Sequence, residues 1–523
     1  DKKLHRFYAY LTVFMGAMIG LVSADNLVTL FIFWEMTSIS SFLLIGYKNN
    51  DAASRKSAIT ALAVTGLGGL FLLGFAIYAS VLFGSLSIQE ILNSDLLLGA
   101  GALPLVLMLF VAAFTKSAQF PFHFWLPGAM KAPTPVSTYL HSATMVKAGI
   151  YLLLRFNPMF EGYEVWQWTL LAFGGVTMLY AAFQTLFHVD MKSILAYSTI
   201  SALGIIVFLI GVGGNYALSA AIAFILAHAL YKATLFMVTG IVDHQTGTRD
   251  ITKLSGLGKI MPAVMSIGVL AALSNAGVPP FFGFIAKDLV YDGTLHSESW
   301  QIALTILAIL TNMLLIYAGF AVGLKPFIGK TNEVSNEAKS AKFSLWWPPM
   351  ITAALGLVFG IVPFFANGLH NSAALAIGAG GVSPIKLWHG FNLVLALSLI
   401  TLALGIALYI FWKPNATRTA ALEKLYRFSP KGIFEKTYAI FTKVSLLATQ
   451  KAQNGYLRNY VLMVILALII AMSVHVINRP NIYFDNIVFT KLSINEIALT
   501  LMLVISTLFA VFSKSRLAAI AGL

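Results

Sequence analysis

Apolar runs of about 20 residues recur along almost the whole chain, each long enough to cross about 30 Å of hydrocarbon. They predict membrane-spanning helices near 9–24, 26–47, 58–83, 100–127, 135–155, 166–187, 192–212, 216–240, 260–292, 300–324, 347–366, 387–412, 459–477 and 493–513. The fold class that follows is an all-α integral membrane protein of about 14 transmembrane helices. Residues 413–458 break the pattern: Leu422, Leu425, Phe428, Ile433, Phe434, Tyr438, Ile440 and Phe441 alternate with basic side chains. That spacing predicts an amphipathic helix along the cytoplasmic membrane surface, interrupted near Pro430. The polar stretches 325–345 and 367–386 read as loops.

Two of the predicted spans carry prolines close to a lysine. Lys116 is followed by Ser117-Ala118-Gln119-Phe120-Pro121, and Pro279-Pro280 precede Lys287. Each proline removes a backbone donor and frees the carbonyl four residues earlier, here Ser117, Asn275 and Ala276. Broken helices belong where backbone faces a wet cavity rather than lipid. Two of them, about 165 residues apart, predict two inverted five-helix repeats, each with a broken helix.

Composition adds three exclusions. Only 10% of residues are charged and 59% are hydrophobic, against about 25% charged in soluble domains. There is no cysteine, which removes disulfides, thiolate nucleophiles and cysteine-ligated clusters, and no cofactor is expected. The net charge of +14 does not signal nucleic acid, because in a membrane protein charge follows topology. Threading the helices alternately puts most of the 34 basic residues on the side of the N-terminus, and only Arg155, Lys386, Arg479 and Lys491 opposite. The positive-inside rule then places both ends of the chain in the cytoplasm. The chain opens Asp1-Lys2-Lys3, which reads as a piece of a longer protein.

The same threading leaves Lys116, Lys147, Lys232 and Lys287 inside the membrane. Each costs about 2.5–3.5 kcal/mol at the centre of a spanning helix on insertion scales, so together they require a shared polar interior. Glu35, in Phe33-Trp34-Glu35-Met36, is the one carboxylate placed near mid-membrane, and Lys116 is its expected partner. His141 and Thr144 precede Lys147, while His228 and Lys232 stand four apart on one helical face. Lysine and histidine are proton-relay residue types: a buried lysine releases and regains a proton, which arginine does not. Expected support comes from Lys56, Ser117, Gln119, Pro121, Thr144, Tyr197, Pro279, Pro280 and Asp288.

The runs FWEMTSISSFLLIGY, FTKSAQFPFHFWLPGAMKAPTPVSTYLHSATMVKAGIYLLLR, DMKSILAYSTIS, HALYKATLF and GVPPFFGFIAKD resemble the antiporter-like subunits shared by respiratory complex I and the Mrp sodium/proton antiporters. VDHQTGTRDITKLSGL most resembles the large MrpA (MnhA) subunits. The resemblance implies that Glu35 and Lys116 form the ion pair of a first half-channel, continued by His141 and Lys147, and that His228 and Lys232 connect to Lys287. Asp288 stands where a glutamate is expected. It further implies half-channel repeats at 25–165 and 166–324, preceded by a leading helix at 1–24. Accessory helices would occupy 325–412, the surface helix 413–458, and two closing spans 459–523. Family N-terminal helices would lie before the first residue, and further helices beyond the last.

The implied function is that of a proton-conducting subunit, not an enzyme, in a bacterial plasma-membrane Na+/H+ antiporter. Its partners would be the other Mrp subunits (MrpB to MrpG), H+, Na+ and membrane lipid. Three alternatives stand beside it: a pumping subunit of complex I or of a membrane-bound hydrogenase, a membrane enzyme, and a scaffold. No Gly-x-Ser-x-Gly elbow or Asp-rich metal motif supports the enzyme, and the buried lysines argue against the scaffold.

Overall fold

The computed structural model describes residues 4–94, 101–297, 299–380, 384–413, 429–453, 455–478 and 493–522. Among these the chain is helical, and its only strand-like pairing is two isolated bridges that tie loops together, Asn26 to Ser87 and Asp190 to Asp250. Eleven of the described helices are long and apolar enough to cross a membrane, and the shorter apolar helices Ala102–Lys116 and Pro262–Ala276 join them. The chain divides into two compact units, 1–431 and 432–523.

In the first unit α1 (Leu4–Ser23), α2 (Leu27–Ile45) and α3 (Ala52–Phe83) run up, down and up. Asn26 and Asp51 start α2 and α3 as N-caps, each accepting two backbone N–H groups;. After the short α4 (Ile88–Leu92) comes α5 (Ala102–Lys116). The chain then breaks, resuming as α6 (Trp125–Ala129), α7 (Thr134–Ser142) and α8 (Ala148–Phe160). The long helices α9 (Glu164–Gln184), α10 (Met191–Val212) and α11 (Gly214–Thr246) follow. A second break separates α12 (Pro262–Ala276) from α13 (Phe282–Leu295), and α14 (Gln301–Gly323) crosses back. The unit continues through α15 (Glu333–Glu337), α16 (Phe343–Ile361), α17 (Phe364–Ala376) and α18 (Leu393–Phe411).

The centre is α10. It is apolar on every face, as an enclosed helix must be, and 94% of its membrane window is buried. Glycines bring α9 onto it: a Cβ on Gly174 would lie 2.4 Å from the Phe208 nitrogen, and one on Gly204 2.5 Å from the Met178 nitrogen. Between membrane helices, where lipid is as apolar as leucine, such close backbone approach replaces the hydrophobic effect as the source of packing energy.

Both proline-marked breaks are present and share one geometry. α5 ends with Ala118 in the left-handed region (φ 49°) and a Gln119 N–H donated to the Phe114 carbonyl at 2.9 Å. α12 ends with Gly277 at φ 77° and a Val278 N–H donated to Leu273 at 3.1 Å. This is the helix stop in which the residue after the left-handed one bonds six back. In each case the proline Pro121 or Pro280 stands three residues beyond.

Three expectations change. The span 135–155 is not one helix: it opens at Ala143 and Thr144, where Thr144 takes φ −123° and ψ −96°, and a 3-10 turn (Met145–Lys147) leads into α8. Thr144 Oγ1 donates to the Tyr139 carbonyl at 2.7 Å, closing off α7. The break has no proline and so no mark in the hydrophobic pattern. The stretch 367–386 is not wholly loop, because α17 occupies much of it and buries His370 against α11 through Ser219 Oγ at 3.0 Å. The stretch 325–345 holds the short α15, capped by Asn332.

The second unit holds Pro430–Ala452, Leu457–Asn478, Ile494–Phe512 and Arg516–Ala521. The expected surface helix thus begins at its proline, while residues 414–428 lie outside those described.

Candidate functional site

The four lysines assigned to the membrane interior are buried: Lys116 is 0% exposed, Lys147 8%, Lys232 1% and Lys287 5%. Each ends on a neutral acceptor. Lys116 Nζ donates to the Trp34 carbonyl at 3.1 Å and Ser38 Oγ at 2.8 Å, and lies 5.0 Å from the Trp34 ring centroid. Lys147 Nζ donates to the Ile225 carbonyl on α11 at 2.9 Å. Lys232 Nζ donates to Ser198 Oγ on α10. Lys287 Nζ reaches back across the second break to the Ala276 carbonyl at 3.4 Å.

Two of these positions are helix C-termini. Lys116 is the last residue of α5, and Lys287 points at the last carbonyl of α12. The unsatisfied carbonyls there carry partial negative charge, which favours a cation in the final turn. The breaks therefore supply what a buried ammonium lacks in hydrocarbon. The carbonyl freed by Pro121 is also used, since Gln119 Nε2 donates to the Ser117 carbonyl at 3.0 Å.

The first and unforeseen breaks are bound together. Ser117 Oγ donates to the Val146 carbonyl at 2.7 Å, one residue before Lys147. Gly149 lets the two stretches of chain meet: a Cβ there would lie 2.3 Å from the Ala113 carbonyl oxygen and 2.4 Å from Ser117 Oγ. From Lys147 the row passes to α11. Ile225, His228 and Lys232 lie at helical spacing on it, and His228 interacts electrostatically with both Lys147 and Lys232. Its ring sits beside the Ser142 backbone without a well-formed hydrogen bond. Lys232 in turn interacts with Lys287.

Glu35 departs from the expected ion pair. It interacts electrostatically with Lys116, but no ion pair within 4.0 Å joins them among the described residues. Its Oε1 is buried without a hydrogen bond, and it fills the notch at Gly69 of α3, where a Cβ would lie 1.7 Å from that oxygen. Lys116 instead grips the turn beside it. The reason is geometric: Trp34 and Ser38 present their acceptors to α5, whereas Glu35 points at α3.

Other expected residues divide. Asp288 is buried on α13 and accepts from Ser398 Oγ at 3.0 Å. Tyr197 stacks on His188 at 4.6 Å between centroids, away from the lysine contacts above. Pro279 is exposed and Pro280 half-buried at the second break, and Pro121 is half-buried at the first. Lys56 is exposed in the first turns of α3 and is not brought into the row.

Two participants had no place in the sequence reading. Lys192, assigned to the cytoplasmic surface, is 2% exposed. Its Nζ donates to the Ala132 carbonyl at 3.0 Å, and its charge reaches His141, which makes no hydrogen bond at either ring nitrogen. The available signal was its position one turn inside the Asp190 cap of an apolar helix. Ser38 was legible only as the residue one turn beyond Trp34.

An all-α, multi-pass membrane bundle whose breaks hold buried lysines in a lateral row defines the class. A family profile described as NADH:quinone oxidoreductase/Mrp antiporter, TM, matches residues 24–314. The chain belongs to that family. It is 34% identical to the Na+/H+ antiporter protein MrpA of Bacillus subtilis, over 100% of this chain and 69% of that protein. It is 35% identical to the MrpA protein of Alkalihalophilus pseudofirmus, over 99% of this chain and 68% of that protein. Among solved structures it resembles a chain of the Mrp complex from Dietzia sp. DQ12-45-1b, with a TM-score of 0.79 and 35% identity, over 98% of this chain. The match spans 56% of that chain.

Proposed function

We propose that this chain is the proton-conducting part of one component of a multisubunit Na+/H+ antiporter. It would act with the other Mrp subunits in a bacterial plasma membrane, with both ends of the chain cytoplasmic. The observation that carries the reading is the set of acceptors around the lysines. Each ammonium donates to a carbonyl or hydroxyl, and among the described residues none is locked to a carboxylate. A lysine that gives up its proton keeps two N–H donors, so those same hydrogen bonds survive the change of charge. A buried ion pair would not survive it, because removing one charge strands the other.

In this reading a proton travels laterally from the Glu35 and Lys116 end, through Lys147 and His228, to Lys232 and Lys287. Charges this close titrate as a coupled set, so a proton on one lysine disfavours a proton on the next. Lys192 and His141 join the row from the side of the chain's N-terminus. The two broken helices act as the centres of two inverted repeats at 25–165 and 166–324. Sodium exchange is assigned to the assembled complex.

The test is cation-driven proton movement in inside-out vesicles containing the whole complex, wild type against Lys232→Met. Loss of exchange with normal assembly supports the reading. Unchanged exchange refutes it.

A further inference from the structure

A cleft of about 270 Å³ opens at the end of the first three helices, remote in sequence from the lysine row. Arg6 of α1 and Arg55 of α3 flank it, Tyr10 and Tyr47 line its rim, and Phe42 and Ile59 form apolar wall. We propose that this cleft binds the phosphate headgroup of an anionic phospholipid, with the acyl chains lying outside it against α2 and α3.

Four observations support this occupant. The cleft lies at the ends of spanning helices, at the depth of a headgroup rather than of hydrocarbon. Both guanidinium groups are exposed, and neither forms an ion pair within 4.0 Å among the described residues. Arg55 uses Nη1 to hold the Asn49 carbonyl at 2.6 Å, which fixes the arm and leaves the rest of the fork to donate;. The carboxylate in the same loop, Asp51, is committed to capping α3 through the Ala53 and Ser54 N–H groups at 3.0 and 3.2 Å.

The ligand class follows from charge and size. Arginine forks match phosphate bidentately. The volume falls just below the roughly 300–1,000 Å³ of sites that enclose a drug-sized ligand, which suits a headgroup better than an acyl chain. Outside the cleft, Ile39 and Ile59 are 54% and 48% exposed and offer an apolar track for the chains. Basic pockets between membrane helices are a known way of holding anionic lipid. The inference does not depend on the proton row.

The experiment compares the full-length protein in its complex with the double variant Arg6→Gln/Arg55→Gln, reconstituted in phosphatidylcholine with or without phosphatidylglycerol. Bound lipid is read by native mass spectrometry. Wild type is expected to retain phosphatidylglycerol over phosphatidylcholine, and the double variant to lose affinity by about 30-fold, as two basic contacts at a charged surface imply. The conservative variant Arg6→Lys/Arg55→Lys, which keeps the charge, is expected to retain most of the preference. Equal retention of both lipids, or retention unchanged in the glutamine variant, overturns the proposal. So does displacement of the lipid by millimolar inorganic phosphate alone, which would make free phosphate the ligand. A wild-type cleft that takes up no lipid, being covered by another part of the full chain, overturns it as well.

Discussion

Replacing Lys287 separates a proton carrier from a fixed charge. In Lys287→Arg the cation persists, but guanidinium does not deprotonate in proteins. In Lys287→Met the unbranched stem persists and the charge is gone. The contacts set the structural cost. The one hydrogen bond at Lys287 Nζ, to the Ala276 carbonyl at 3.4 Å, is longer than the usual range of about 2.7–3.2 Å. Its loss lies at the low end of about 0.5–1.5 kcal/mol, and removing a buried charge offsets it. Methionine should therefore assemble normally. Arginine is tighter, because a Cβ on Gly277 would already lie 2.8 Å from Lys287 Cδ, and overpacking costs about 1–3 kcal/mol.

Both variants are expected to slow exchange by about 10²–10⁴-fold, the usual contribution of a positioned proton-transfer group. The assay is sodium-dependent dissipation of a proton gradient in inside-out vesicles, normalised to assembled complex. Should Lys287→Arg exchange at the wild-type rate, Lys287 supplies fixed charge alone and the carrier argument fails. Poor assembly of the arginine variant leaves the methionine variant to decide, and full activity there refutes any role.

Three further outcomes are expected. Glu35→Gln and Lys116→Ala should each lower exchange at least about 10²-fold with assembly intact, since Ser38 Oγ also bonds the Trp34 carbonyl at 3.2 Å and stays satisfied without the lysine; wild-type rates at normal expression would count against the row. Lys147→Ala removes the bond from the 3-10 turn to Ile225, so exchange against pH should change shape as well as amplitude, and with Glu35→Gln the losses in log rate should be non-additive;. Strict additivity there would mean independent sites. Ala118→Gly relieves a left-handed alanine at φ 49° and should stabilise the protein by about 1 kcal/mol, read as a higher unfolding temperature in detergent; a lower one would show that the Ala118 methyl group contributes more packing than strain.

The chain's pattern of apolar runs determined the all-α membrane class, because lipid leaves backbone groups no partner but their own helix. It also determined the four interior lysines, since charge is scarce enough that each one inside a span is conspicuous, and both proline-marked breaks, since proline cannot donate. Tertiary structure decided what those residues touch. The acceptors of Lys116, Lys147 and Lys287 include the carbonyls of Trp34, Ile225 and Ala276, and a carbonyl has the same chemistry at every position in a sequence. The opening at Ala143 and Thr144 came without proline or glycine, so hydrophobicity ran through it unbroken. Lys192 looked like a surface cation because it stands next to a helix cap, and only the packing of Ala132 over it shows that it is buried. Glu35 and Lys116 were matched in the sequence by charge alone, and helix rotation, which turns Glu35 toward Gly69, decided that they interact across a distance rather than as a direct pair.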